Sequence, residues 1–72
     1  MTPPTDELWR LHKPGCGRVR QAVVQLHERG GVFELRLSID GALERSEPSA
    51  SRAEGAVLGE VWKAGLLERG WR

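Results

Sequence analysis

Val32-Phe33-Glu34-Leu35-Arg36-Leu37-Ser38-Ile39-Asp40-Gly41 is the stretch on which the fold turns. Phe33, Leu35, Leu37 and Ile39 alternate with Glu34, Arg36 and Ser38, the two-residue period of a strand with one wet face and one face that needs a cover. Asp40-Gly41 then turns the chain. Further on, Ser51 with Glu54 forms a capping box that opens a helix, and Gly70 closes it. Together these signals predict an α+β fold: a small antiparallel β-sheet of three to four strands in meander order, packed on one C-terminal α-helix.

Upstream, residues 18–28 read two ways. As a helix, Val19, Ala22, Val23 and Leu26 fall on one stripe. As a strand, Ala22, Val24 and Leu26 alternate with Val23, Gln25 and His27. The valines and the flanking glycines favour the strand, and Gly30-Gly31 makes a hairpin with 32–39 economical. Residues 8–12, with Trp9 and Leu11 on one side, predict a fourth, shorter strand, and Pro14-Gly15-Cys16-Gly17 a loop.

The strand after Asp40-Gly41 can be placed by charge. A plain two-residue loop sets Arg36 opposite Arg45 and Glu34 opposite Glu47, and both pairings repel. A three-residue loop, with Gly41 in the left-handed bulge position, pairs Leu37 with Leu43 and Arg36 with Glu44 instead. The third long strand is then expected over 42–47, ended by Pro48. In the helix, expected over 52–69, Val57, Leu58, Val61, Trp62, Gly65 and Leu66 spread over one broad face, and Gly65 is the position for a close approach to the sheet. The predicted core is Ala22, Val24, Leu26, Phe33, Leu35, Leu37, Leu43, Val57, Leu58, Val61, Trp62 and Leu66. Trp71, just past the Gly70 stop, is placed to fold back on the last turn.

Size and composition bound the rest. With 72 residues there is room for one domain, expected over 7–72 behind a flexible N-terminal tail of 1–6. One cysteine permits no internal disulfide. Residues 1–6 carry no basic head or apolar run of a signal peptide, and no window approaches a membrane span, so a cytoplasmic location is expected. Nine Arg and two Lys stand against ten acidic residues, a net charge of +1 with the signs interspersed, which argues against a nucleic-acid footprint. The arginine bias fits a GC-rich bacterial genome.

Trp9-Arg10-Leu11, Glu34-Leu35-Arg36-Leu37, Asp40-Gly41, Leu43, Val61-Trp62-Lys63 and Leu66-Leu67-Glu68-Arg69-Gly70-Trp71 together resemble a group of short uncharacterised bacterial proteins. They share a Trp-x-Leu opening, an ELRL…DG.L hairpin and a terminal RGW. The resemblance covers most of the chain and implies a compact domain of unknown function, with no functional residue carried over. Three strands followed by a helix also resemble the AP2-type plant DNA-binding domain and the arm-binding domain of tyrosine recombinases. Those domains use Arg and aromatic side chains on the open sheet face, where this chain is expected to place Glu34 and Glu44 beside Arg36.

Chemistry-bearing residues are sparse. Cys16 is the one candidate nucleophile, and His12 lies four residues upstream, but a Pro-Gly loop holds no base rigidly beside a thiol. His12, Cys16 and His27 lack the paired spacing of a zinc site. Neither Gly30-Gly31 nor Gly15-Cys16-Gly17 has phosphate-loop spacing. No enzyme, cofactor or metal is therefore expected. The sequence points to a protein-interaction or accessory module, with a protein partner or homodimer, whose open sheet face carries Val23, Gln25, Glu34, Arg36 and Glu44. The alternative is nucleic-acid binding through Arg10, Arg18, Arg20, Arg36 and Arg45 on that face.

Overall fold

The computed structural model describes residues 5–72. Four strands, β1 (Thr5–Pro14), β2 (Val19–Arg29), β3 (Val32–Ile39) and β4 (Ala42–Ser49), form an antiparallel meander in the order β1-β2-β3-β4, and α1 (Arg52–Glu68) covers one face. The ambiguous segment is a strand: all eight residues Ala22–Arg29 pair with β3 in unbroken register, which buries Ala22, Val24 and Leu26. β1 is longer than expected. Thr5 and Asp6 belong to it and not to a tail, because Asp6 pairs with Leu26 in the ladder and its carboxylate meets Arg52. A bulge between Glu7 and Trp9 shifts the parity of β1, so Trp9 and Leu11 both reach the core.

The β3–β4 turn differs from the expected three-residue loop. Ile39 faces Ala42, and Asp40-Gly41 form a two-residue turn with φ of 51° and 85°, positive at both positions as the primed hairpin turn requires. The like-charge clash is avoided two residues later. A bulge at Glu44 shifts the register, so Leu37 faces Arg45, Arg36 faces Ser46 and Glu34 faces Pro48. The two-residue turn itself sets Leu43 opposite Ser38, and it lies 58% exposed on the open face instead of in the core. β4 also continues through Pro48, which an outer strand tolerates because the missing N–H can face outward.

In α1, Ser51 caps the first turn by accepting from the Glu54 N–H at 3.1 Å. The buried stripe is Gly55, Gly59, Trp62 and Leu66, roughly a quarter turn around the helix from the expected face at ~100° per residue. Glycines set that rotation. A Cβ on Gly55 would stand 2.7 Å from Leu26 Cδ1, and one on Gly59 3.2 Å from Leu8 Cδ1. The backbone thus sits close on the sheet, and the Trp9 Nε1–H donates to the Gly59 carbonyl at 3.1 Å. Val57 and Val61, expected in the core, are turned outward, and Phe33 and Leu58 pack at its margin. Gly65, expected at the close approach, has open space around it.

The two kinds of glycine should respond in opposite directions. Gly65→Ala is expected to stabilise by about 0.5–1 kcal/mol through helix propensity and a smaller unfolded ensemble. Gly55→Ala gains the same term but sets a methyl 2.7 Å from Leu26 Cδ1 and 3.0 Å from Ser49 Oγ, so the buried Leu26 side chain must shift within the core. A net loss of about 1–2 kcal/mol is expected from overpacking. Urea denaturation of both variants checks the sign of each.

The helix ends in a Schellman motif. The Trp71 N–H donates to the Leu66 carbonyl at 3.1 Å and the Gly70 N–H to that of Leu67 at 3.2 Å, with Gly70 at φ 94°. Trp71 is only 6% exposed and lies in the core cluster, with Lys13 and Arg20 at 6.0 and 5.8 Å from its ring. Arg72 then joins the outer edge of β1 through reciprocal 2.8 Å backbone bonds with His12. Among the described residues, no helix is long and apolar enough to cross a membrane.

Candidate functional site

Two surfaces can receive a partner: the sheet face away from α1 and the flank of α1 beside β4. On the open face, the side-chain alternation of β2 and β3 brings Val23, Gln25, Glu34 and Arg36 together. Val23 is half-buried between Arg10 on β1 and Ser38 on β3, and Gln25 faces Arg36. Glu44, expected with them, is the bulge residue of β4 and lines the groove on the helix side instead. The strand-parity argument fails there because a bulge breaks the alternation.

The charges of the open face are matched within the chain. Arg10 pairs with Glu7 at 2.6 Å, and Arg36 pairs with Glu34. Asp40 serves Arg20 at 3.2 Å and Arg18 at 4.0 Å, while its Oδ1 accepts from the Gln21 N–H at 2.9 Å. That backbone bond, followed by Arg20, holds the Asp40 carboxyl below the ordinary carboxylate value. Arg45 pairs with Glu47 at 3.3 Å and stacks over Trp62 with its guanidinium carbon 4.6 Å from the ring centroid. Arg20 shares the sheet face of Ala22 and stands over Trp71, so both arginines lie on the helix side of the sheet and not on the open face. The five arginines expected to grip phosphates thus share four carboxylates, with Arg18 and Arg20 both on Asp40.

His27 lies on the open face, with Nδ1 3.0 Å from the Thr5 hydroxyl. Desolvation holds its pKa below the ordinary 6.5, the positive charge of Arg36 adds to this, and Glu34 opposes it. The folded state therefore disfavours the protonated ring. The stability tied to the neutral ring is present above pH 6.5 and is lost as the pH falls from there through the lowered folded value. The wild type is expected to lose more stability than His27→Gln between pH 7.5 and 5.5, a comparison of urea midpoints that cancels the carboxylate contributions common to both.

Cys16 is exposed in its loop. The backbone of His12 bonds to Arg72, while His27 faces Thr5 from the neighbouring strand. Among the described residues, no three His, Cys, Asp or Glu side chains gather into a metal-binding group.

The second surface is one that amphipathic periodicity missed. Val57 and Val61, one helical turn apart, are 66% and 62% exposed, with the half-buried Leu58 beside them. A groove runs between this flank and β4, lined by Leu37, Arg45, Leu58, Val61, Trp62 and Gly65. The available signal was the i, i+4 pair Gly55 and Gly59, which marks a face for close packing and turns the valines away from it. Comparison with known proteins finds no matching family model, no matching curated protein and no matching solved structure.

Proposed function

We propose that this chain is a non-enzymatic protein-interaction module and that the β4-side flank of α1 is its contact surface. The observation that carries this reading is the Val57–Val61 ridge. Single exposed apolar side chains are ordinary on a protein surface, but adjoining ones beside a groove of mixed apolar and charged lining mark a place for a partner. On the open sheet face the exposed Val32 and Leu43 stand at opposite ends of β3, and Val23 is half-buried among side chains whose charges are paired internally. The same pairing weighs against nucleic-acid binding, since each arginine would have to exchange a carboxylate for a phosphate.

The test uses the immobilised chain in an extract of the cells that produce it. Proteins retained by the wild type and by Val23→Glu should be lost with the double variant Val57→Glu/Val61→Glu. Both sites of that variant are exposed, so its circular dichroism and melting point should stay close to wild type. Retention that survives the double change, or that disappears on nuclease treatment, overturns the reading.

A further inference from the structure

β4 is the outer strand of the sheet, and the apolar flank of α1 lies beside it across the groove. Three features there have no counterpart within the single chain. Gly65 occupies a helix interior with open space where a Cβ would stand, so nothing in the chain calls for glycine. Val61 is 62% exposed. Trp62 is only 6% exposed, yet its Nε1–H has no acceptor among the described residues.

The free edge of β4 carries the matching information. Pro48 has no N–H, so its place opposite Glu34 in the ladder requires its nitrogen to face outward. Ser46, two residues away, then also turns its N–H and C=O outward. Two copies of one strand pair antiparallel about an axis perpendicular to the sheet, which keeps both helices on the same side. Centred on Glu44, Arg45 or Glu47, that pairing sets like charge on like charge. Centred on Ser46, it sets Arg45 opposite Glu47 of the second copy, twice by symmetry. Both side chains lie on the helix side, opposite Leu37 and Leu35.

We propose that the partner at this surface is a second copy of the chain: β4 pairs antiparallel with its equivalent about Ser46, and the flanks carrying Leu58, Val61 and Gly65 face each other over the joined strands. The proposal rests on reading that flank as an interaction surface. The Arg45–Glu47 pair within each strand is exchanged for two such pairs across the interface. Ser46 supplies reciprocal backbone bonds, and Pro48 ends the ladder, so the pairing is short and closes as a dimer. The bulge at Glu44 bounds it on the other side.

Sedimentation equilibrium of the full chain from ~1 μM to ~1 mM tests the association directly. The mass is expected to rise from 8.0 kDa to twice that value. Arg45→Glu and Glu47→Arg should each weaken the dimer at least ~10-fold, and the exchange R45E/E47R should restore it to within ~3-fold, because both cross-strand pairs are rebuilt with reversed sign. In a Cys16→Ser background, Ser46→Cys should cross-link under mild oxidation, since the paired Cα atoms fall within the ~4.4–6.8 Å that a disulfide spans. A monomer throughout this range overturns the dimer while leaving the module reading to its own test. A dimer that ignores the charge reversals, or one that Ser46→Cys does not cross-link, overturns the β4 geometry. If Val57→Glu/Val61→Glu dimerises normally and also keeps every retained protein, both readings fall.

Discussion

Trp71→Ala is expected to destabilise the fold by about 3–5 kcal/mol, the range for emptying a buried indole site. The ring is 6% exposed and belongs to the same cluster as Trp9, Leu11 and Leu66. A chain of this length has a total stability of roughly 4–11 kcal/mol, so the loss is a large share of it. The effect should exceed area alone, because the buried ring anchors the backbone that completes the helix stop and leads Arg72 onto β1. Chemical denaturation, with tryptophan fluorescence and far-ultraviolet dichroism read together, checks it. A loss under ~1 kcal/mol would place the ring at the surface.

Leu35→Ala is expected to cost about 2–5 kcal/mol. Leu35 is fully buried, pairs with Leu26 across the central hairpin, and lies on the sheet face that α1 covers. The neighbours that would have to close the cavity are Leu26 and Val24, themselves 2% and 0% exposed, so collapse is restricted and the upper half of the range is favoured. A conservative comparison is Leu35→Met, which keeps the volume and should cost less than ~1.5 kcal/mol. Equal losses for the two variants would show that shape and not volume governs the site.

The alternation of Phe33 to Ile39 and of Ala22 to Leu26 carried the sheet into view from sequence alone, because each inward position was apolar and the outward ones, Val23 apart, were polar. The helix was equally visible through Ser51, Glu54 and Gly70. Three features were not. Like charges opposite each other showed that a plain register was unacceptable between Arg36 and Arg45. They did not show whether the extra residue would sit in the turn or at Glu44, since a bulge at either place removes the repulsion. Leu43 followed that choice outward. The buried helix stripe was missed because hydrophobic periodicity counts side chains. At Gly55 and Gly59 it is the lack of a side chain that decides which face meets the sheet.

The same two causes explain the candidate surfaces. Val23, Gln25, Glu34 and Arg36 were legible as one face because their strands pair without interruption. Glu44 was lost from it through the bulge. The Val57–Val61 ridge was read as core, for in sequence a valine on an exposed flank is indistinguishable from one that faces the sheet.

The two bonds between His12 and Arg72 have a kinetic consequence. Every strand pairing in this sheet joins neighbours in sequence, so the hairpins can form with short loops and little chain entropy lost at each step. The ring closed by His12 and Arg72 is of another order, since it spans nearly the whole chain. Closing it is slow to contribute and easily deferred until the meander and helix have met. Such late contacts leave the folding rate almost untouched and act on the escape from the native state. The C-terminal residues are therefore expected to act as a latch on unfolding, and their loss should show in the unfolding arm of a chevron and not in the folding arm.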